Sequence, residues 1–306
     1  MTDRAAVLAV ALALDVAVGE VGGAWHPVAL AGRVLDITYR PWRRRGPATA
    51  LAGGAATLAA AVVLAALLGW GAERLAGRRF TRALLRGAVL KQTFSVRKLL
   101  EEGAGVADSL ESGRLEQARL QLRSLVSRPT GGLSSELCAS AAIESLAENV
   151  ADSVAAPLLF YSLLGLPAAA AYRVVNTADA MFGYGGEMEW LGKSAARLDD
   201  LLNWVPSRLS ALALVGAALM LSGPAAAASA WHTWRRDGPR TASPNAGRPM
   251  AAMAGALGRR LEKRGHYVLG AGYRGPGPAD VRAALRVTGV AVGLLAAGAL
   301  LWEARR

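Results

Sequence analysis

The chain alternates between long apolar runs and polar stretches with helical periodicity. Apolar segments stand out at about 5–22, 48–72, 154–175, 208–232 and 285–302. The second, ATALAGGAATLAAAVVLAALLGWGA, carries no charge and exceeds the roughly 20 residues an α-helix needs to cross a hydrocarbon core. The first is short and contains Asp15, which predicts burial among other helices. It follows a single Arg4 and lacks a convincing cleavage site, so it reads as a retained segment rather than a signal peptide. The fourth contains Gly223-Pro224, a kink or an end. Residues 79–150 are polar, with apolar residues at helical spacing broken at Gly103–Gly105 and Ser112-Gly113. They predict a helical hairpin outside the hydrocarbon. A second polar insert, about 233–284, is rich in Arg, Gly and Pro. There is no internal repeat and no alternating strand pattern. The pattern predicts an all-α fold: a polytopic integral membrane helical bundle, one membrane domain over 1–306, with polar inserts at 79–150 and 233–284.

Composition supports a membrane bundle. Hydrophobic residues make up 53% and aromatics only 6%, with mean hydropathy +0.28. Abundant Ala and Gly let helices approach closely in lipid. The net charge of +12 sits mainly as Arg in loops, with no nucleic-acid motif beside it. Nucleic acid is therefore excluded as a partner; anionic lipid headgroups and phosphorylated substrates fit the charge. A lone Cys138 excludes an intramolecular disulfide and any multi-cysteine metal site. The loop 33–46 carries Arg33, Arg40, Arg43, Arg44 and Arg45, and both inserts are basic, so each is drawn to the cytoplasmic side. Strict alternation through five spans conflicts with that, so at least one apolar segment is expected to be re-entrant, in-plane or buried. The run YRPWRRR (39–45) reads as a lipid-headgroup anchor.

Candidate chemistry concentrates between 144 and 203. Glu144, Glu148 and Asp152 stand four residues apart on one helical face, just ahead of an apolar run. Acids in or beside a bilayer are costly and mark sites. Hard divalent ions such as Mg²⁺ take such oxygens and share them with substrate phosphates. The plainer reading is a solvated first helical turn. Asn176 and Asp179 share a second face; Asp199, Asp200 and Asn203 form a third group, with Arg173 and Arg197 each three residues before a member. Surface ion pairs are the plainer reading. Facing acid-rich motifs also suit a Mg²⁺-dependent membrane prenyltransferase-like enzyme, although neither motif has the full acid count.

SPNAGRP (243–249) predicts a turn into the helix MAAMAGALGRRLEKR. Ser243 and Asn245 are cap-type residues, Gly247 allows close backbone approach, and Pro249 suits a first helical turn. A helix start can hold phosphate, with Arg248 adding charge. His26, in WHPVALAGR, is a general base, a phosphate contact, a ligand or a structural residue.

In this order the motifs resemble the adenosylcobinamide-phosphate synthase family of cobalamin biosynthesis, the CobD/CbiB family. The resemblance rests on LDVAVGEVGGAWHPVALAGR, AAIESLAENVADSVAAPLLFYSLLGLPAAAAYRVVNTADAMFGY, AARLDDLLNWVPSRL and SPNAGRPMAAMAGAL, and covers nearly the whole chain. It implies an integral enzyme of the cell (inner) membrane, multi-pass, with its active site facing the cytoplasm. Members use ATP to condense adenosylcobyric acid with aminopropanol phosphate, or aminopropanol, into an amide on a propionate arm. An acyl phosphate attacked by an amine would accomplish this, with Mg²⁺ and basic groups neutralising phosphate charge. Other membrane enzymes of cobalamin assembly are candidate partners.

Carried over are Glu144, Glu148, Asn149, Asp152, Arg173, Asn176, Asp179, Arg197, Asp199, Asp200, Asn203, Ser243, Asn245, Gly247 and His26. The expected roles are our own. Glu144, Glu148, Asp152, Asp179 and His26 are catalytic; Glu148, Asp152, Asp199, Asp200 and Asn203 hold metal. Arg173, Asn176, Arg197, Ser243, Asn245, Gly247 and Arg248 bind ATP. The sequence departs from the family pattern at Gly19-Glu20-Val21, Ser153, Arg128-Pro129-Thr130 and Met250. A diverged, non-catalytic sensory relative is the alternative from another class.

Overall fold

The computed structural model describes residues 3–20, 23, 26–75, 77–184 and 186–306. Val21, Gly22, Ala24 and Trp25, of the motifs above, lie outside them. The described residues are overwhelmingly α-helical and divide into two compact units, residues 1–95, 156–203 and 298–306, and residues 96–155 and 204–297.

In the first unit α1 (Asp3–Ala17), α2 (Pro27–Tyr39), α3 (Pro47–Glu73) and α4 (Arg79–Lys91) are joined by α8 (Ala156–Leu164), α9 (Leu166–Phe182) and α10 (Glu189–Leu202). Leu35, Tyr39, Leu58, Val175, Phe182 and Leu191 form its main cluster, with Tyr39 and Phe182 stacked at 4.3 Å. Small residues permit the packing. Gly54 of α3 lies against the Leu191 carbonyl, and Gly192 of α10 lies against the backbone of Phe182 and Gly183, so a Cβ at either would collide. The apolar run 154–175 is not one span. Gly165, at φ 81°, breaks it, and α9 restarts at once with Pro167 in its first turn and its Leu166 N–H donating to Glu73 Oε1 at 2.9 Å. Within the segment 39–45 the residues divide. Tyr39 is fully buried, and Arg40 and Arg43 both engage Asp36, leaving Arg44 and Arg45 exposed.

The second unit is built around α7 (Ser135–Val150), whose Leu137–Ala147 stretch is buried on every face, as expected of a helix inside a bundle. It is surrounded by α5 (Val96–Glu111), α6 (Leu115–Leu122), α11 (Trp204–Ser222), α12 (Pro224–Asp237), α13 (Gly247–Leu257) and α14 (Pro278–Arg305) up to residue 297. The break predicted at Ser112-Gly113 is present, with Gly113 at φ 70°. The one at Gly103–Gly105 is not: Gly103 is buried inside α5 against Leu146 and Leu285, so its missing side chain serves packing. Gly223-Pro224 ends α11 and starts α12, as the sequence implies. The helix predicted across 250–264 stops at Leu257, because Gly258 adopts the left-handed αL conformation and caps it. A short antiparallel hairpin follows, β1 (Leu261–Lys263) with β2 (Tyr267–Leu269), where the sequence pattern predicts continued helix.

Among the described residues α3, α11 and α14 are long and apolar enough to cross a bilayer, with mean hydropathies of 2.2, 1.5 and 1.9. Each carries an exposed Trp under an Arg guanidinium at or near one end: Trp70 with Arg74 at 3.6 Å, Trp204 with Arg208 at 4.1 Å, Trp302 with Arg306 at 5.3 Å. Amphipathic indoles beside cations are the pairing favoured where hydrocarbon meets water. The first apolar segment forms only 15 helical residues, too few to span, and its Asp15 is buried.

Candidate functional site

Each unit gathers part of the predicted residue set. In the second unit Glu144 is buried and held on both oxygens. Oε1 accepts from Ser140 Oγ at 2.8 Å; Oε2 accepts from Arg128 Nη2 at 2.9 Å and Tyr267 Oη at 3.0 Å. Ser140 Oγ accepts in turn from the Glu262 backbone N–H at 2.8 Å, tying the hairpin to α7. Burial, and the charges of Glu144 and Glu148, push the Tyr267 phenol upward, so it stays a donor. Glu148 and Asn149 are half-buried, and Asn149 anchors on Ser145 while its Oδ1 accepts from Ser153 Oγ at 2.8 Å.

The α-helical ladder then widens into a π-turn over Ala151–Ala155, which contains the half-buried Asp152. Such turns cost hydrogen-bond geometry and concentrate at functional sites. The three-acid line therefore divides: Glu144 is occupied by donors, while Glu148 and Asp152 stand at or just before the π-turn.

The 243–249 segment is a self-capped helix start in the same unit. Ser243 Oγ accepts from the N–H groups of Asn245 at 3.2 Å and Ala246 at 3.4 Å, and Thr241 Oγ1 accepts from Gly247 N–H at 3.0 Å. Gly247 is required because a side chain would meet the Gly238 carbonyl and Thr241. The N–H groups that the sequence offered to phosphate thus already have hydroxyl partners. Positive charge is supplied instead by side chains: Arg208 Nη1 lies 3.4 Å from Asn245 Oδ1 and feels the like charge of Arg248. Ser207 Oγ also donates to Asn245 Oδ1, at 3.2 Å.

In the first unit α9 and α10 bring together the second predicted group. Asp199, 9% exposed, accepts from Asn176 Nδ2 at 3.3 Å on one oxygen and from Asn203 Nδ2 at 2.9 Å on the other. Tyr172 Oη donates to Asn203 Oδ1 at 3.0 Å, and Arg173 Nη1 reaches Asn176 Oδ1 at 3.4 Å. Among the described residues no Lys, Arg or His forms an ion pair with Asp199. Burial pushes its carboxyl above the usual range; the two carboxamides offset this only in part, and the neighbouring Asp200 adds to it. Asp179 and Asp200 are half-buried and Arg197 is exposed.

His26 is drawn into a charge cluster the sequence did not reveal. Its Nδ1 caps α2 by accepting from Val28 N–H at 3.2 Å, and its Nε2 lies 2.6 Å from Glu20. Glu20 also meets Lys91 at 2.5 Å, and Lys91 meets Asp15 at 3.1 Å, both of the latter buried. Burial raises the Glu20 carboxyl, but the hydrogen bond from Lys91 together with the Lys91 and His26 charges holds it below its ordinary value. Asp15 inside an apolar run was the available signal, and Lys91 is the partner that signal demanded.

Mg²⁺ fits these donors. It is normally held by one or two carboxylates plus substrate phosphates, not by a full protein cage. Glu148 with Asp152, and Asp199 with its carboxamide neighbours, offer hard oxygens of that kind. Among the described residues no cluster of at least three His, Cys, Asp or Glu forms a ready-made cage.

Fold and site define an α-helical protein with membrane-length helices and buried oxygen-rich polar clusters. The chain belongs to the CobD/Cbib protein family, whose model matches residues 8–288. It is 40% identical over 270 residues to a cobalamin biosynthesis protein CobD of Dehalococcoides mccartyi, covering 86% of each chain. It is 39% identical over 280 residues to a probable cobalamin biosynthesis protein CobD of Methanothermobacter thermautotrophicus, covering 88% of this chain and 87% of the other. A cobalamin biosynthesis protein CobD of Geobacter metallireducens is 40% identical over 266 residues, covering 85% and 82%. No solved structure matches the chain.

Proposed function

We propose that this protein acts in cobalamin biosynthesis as an ATP-dependent ligase, joining adenosylcobyric acid to aminopropanol phosphate, or aminopropanol, through an amide on one propionate. The observation that carries the reading is the family match over residues 8–288, with relatives described as cobalamin biosynthesis proteins. ATP would supply the phosphoryl group that activates the propionate, and Mg²⁺ would neutralise phosphate charge.

The chain's own residues take the following parts. In the second unit Glu148 and Asp152 would hold metal, and in the first unit Asp199, Asp200 and Asn203 offer a separate oxygen set. Asp179, like Glu148, is a candidate to accept the ammonium proton of the amine. Arg173, Asn176, Arg197 and Arg248 orient phosphate, with Ser243, Asn245 and Gly247 fixing the backbone that carries Arg248. Glu144 is a positioning residue, since three donors fix both of its oxygens. His26 acts through Glu20, which it faces at 2.6 Å.

The test is direct. Purified protein is incubated with adenosylcobyric acid, ATP, Mg²⁺ and each amine, and the amide is sought by mass. Formation of the amide only with ATP present is expected. Ligand binding without any amide would refute the ligase reading and leave a sensory relative.

A further inference from the structure

A small basic groove in the second unit is lined by residues given no role above, one of which, Arg128, also bonds Glu144. Arg128, Leu133, Leu137, Glu262, Lys263, Arg264 and His266 line it, and its volume is about 200 Å³. We propose that this groove binds a phosphate monoester.

Charge comes first. Lys263 and Arg264 have no carboxylate partner among the described residues, whereas most other basic side chains of the hairpin region do: Arg260 pairs with Glu136 at 2.9 Å and lies 3.8 Å from Glu262. The single acid of the groove therefore already has a cation beside it. Arg128 is fixed by Glu144 at 2.9 Å, so its guanidinium is oriented before any ligand arrives. Leu133 and Leu137 bracket the start of α7, where Ser134 Oγ accepts from Leu137 N–H at 3.3 Å, and the positive end of that helix adds to the field.

The frame is rigid where it must be. The hairpin pairs Lys263 with Tyr267, and the Tyr267 hydroxyl and the Glu262 N–H tie both strands to α7. The turn between the strands closes through His266 N–H to the Lys263 carbonyl at 2.9 Å, with Gly265 at φ 74°. Two unpaired cations and a histidine are thus presented on one tight turn.

Size decides the ligand class. Sites for larger organic ligands run from about 300 to 1,000 Å³, so this groove suits a phosphate with a short arm rather than a nucleotide or a corrin. Such a phosphate monoester can come from a soluble metabolite or from a lipid headgroup.

The test uses the full chain in a neutral detergent and glycerol 3-phosphate as probe, followed by calorimetry. The wild type is expected to bind saturably. The double variant Lys263→Gln/Arg264→Gln should bind about 100-fold more weakly, at roughly tenfold per lost charge-assisted contact. Arg114→Gln/Arg123→Gln removes the same charge from exposed positions of the same unit and should bind within about threefold of wild type. A second arm adds phosphatidylcholine vesicles with or without phosphatidic acid. Displacement of the probe only by phosphatidic acid assigns the site to a lipid headgroup; retention of the probe assigns it to a soluble ester. No saturable binding in either arm, or equal weakening by both double variants, overturns the proposal. Because binding rather than turnover is read, the outcome is independent of the ligase reading.

Discussion

Replacing Asp199 with Asn should make the protein more stable and less active. The carboxylate is 9% exposed and, among the described residues, held only by two neutral carboxamides, Asn176 at 3.3 Å and Asn203 at 2.9 Å. An asparagine is nearly isosteric. Its oxygen keeps one of the two bonds, while its NH₂ would face another NH₂. Rotation of the Asn203 amide relieves that clash cheaply, because the Tyr172 hydroxyl that now donates to Asn203 Oδ1 can equally accept. The loss is the difference between charge-assisted and neutral hydrogen bonds, about 2 kcal/mol over the pair. The gain is release from desolvating an ionised carboxylate without a cation, several kcal/mol. The net gain is about 1–2 kcal/mol, or about 1.5–3 °C in Tm for a chain of this size.

The sign can be checked against pH. Burial raises the folded-state pKa of Asp199 above its unfolded value, with Asp200 adding to the effect. The stability linked to the protonated acid is complete below the unfolded pKa and is lost as pH rises through the folded one. The advantage of Asp199→Asn should therefore open as pH climbs out of the ordinary carboxylate range and level off above the raised value. Thermal unfolding in micelles, followed by tryptophan fluorescence between about pH 4 and pH 8, measures it. A variant less stable than wild type at neutral pH, or a gap that does not vary with pH, would refute the argument. Added Mg²⁺ should narrow the gap by stabilising the wild type alone.

Glu148→Gln and Asp152→Asn should each lower turnover by about 100-fold or more and raise the Mg²⁺ needed for half-maximal rate, with unfolding temperature little changed; unaltered metal dependence in both would remove them from the metal site. Gly192→Ala should destabilise by more than about 2 kcal/mol, because its Cβ collides with the Phe182 carbonyl, whereas Gly71→Ala, with open space around it, should be neutral or stabilising by about 0.5–1 kcal/mol; equal melting temperatures would show that α9 and α10 are not so closely packed. Arg173→Lys, Arg197→Lys and Arg248→Lys should raise KM for ATP or the amine phosphate in at least one case, since Lys lacks the planar fork; wild-type KM values throughout would leave these arginines to the fold. Glu144→Gln should cost about 2–4 kcal/mol, because Arg128 would keep its charge beside a neutral amide, and the surviving folded fraction should retain its turnover when activity is normalised to folded protein.

Much of this architecture was legible in the hydrophobic pattern. The runs at 48–72, 208–232 and 285–302 correspond to membrane-length helices α3, α11 and α14, the fourth segment being cut at Gly223-Pro224. The run at 154–175 misled because periodicity cannot sense a single glycine that takes φ 81°. The hairpin at 261–269 was hidden for a related reason: each strand is three residues long, too short to show alternation. At the site, the pairing of Asn176 and Asn203 with Asp199 follows from helical spacing and from α9 packing on α10. The cluster of Asp15, Glu20, His26 and Lys91 was half legible. A buried acid announces that it needs a cation, but nothing in a sequence says that the cation waits at residue 91.

Two buried carboxylates show how environment separates support from chemistry. Glu144 has a guanidinium, a phenol and a hydroxyl on it, so its charge is neutralised within the fold. Asp199 has two carboxamides and no ion-pair partner among the described residues, so its charge is solvated only by dipoles. A protein that needed only rigidity at position 199 would do better with Asn, which forms nearly the same bonds without the desolvation cost. Retaining an acid there makes sense if something cationic arrives during the working cycle, and Mg²⁺ or the ammonium group of an amine substrate is such a partner. Neutralising Glu144 should destabilise the fold, and neutralising Asp199 should stabilise it at the expense of turnover. If both substitutions shift the melting temperature in the same direction, the distinction between the two acids fails, and with it the reason for placing Asp199 in the reaction.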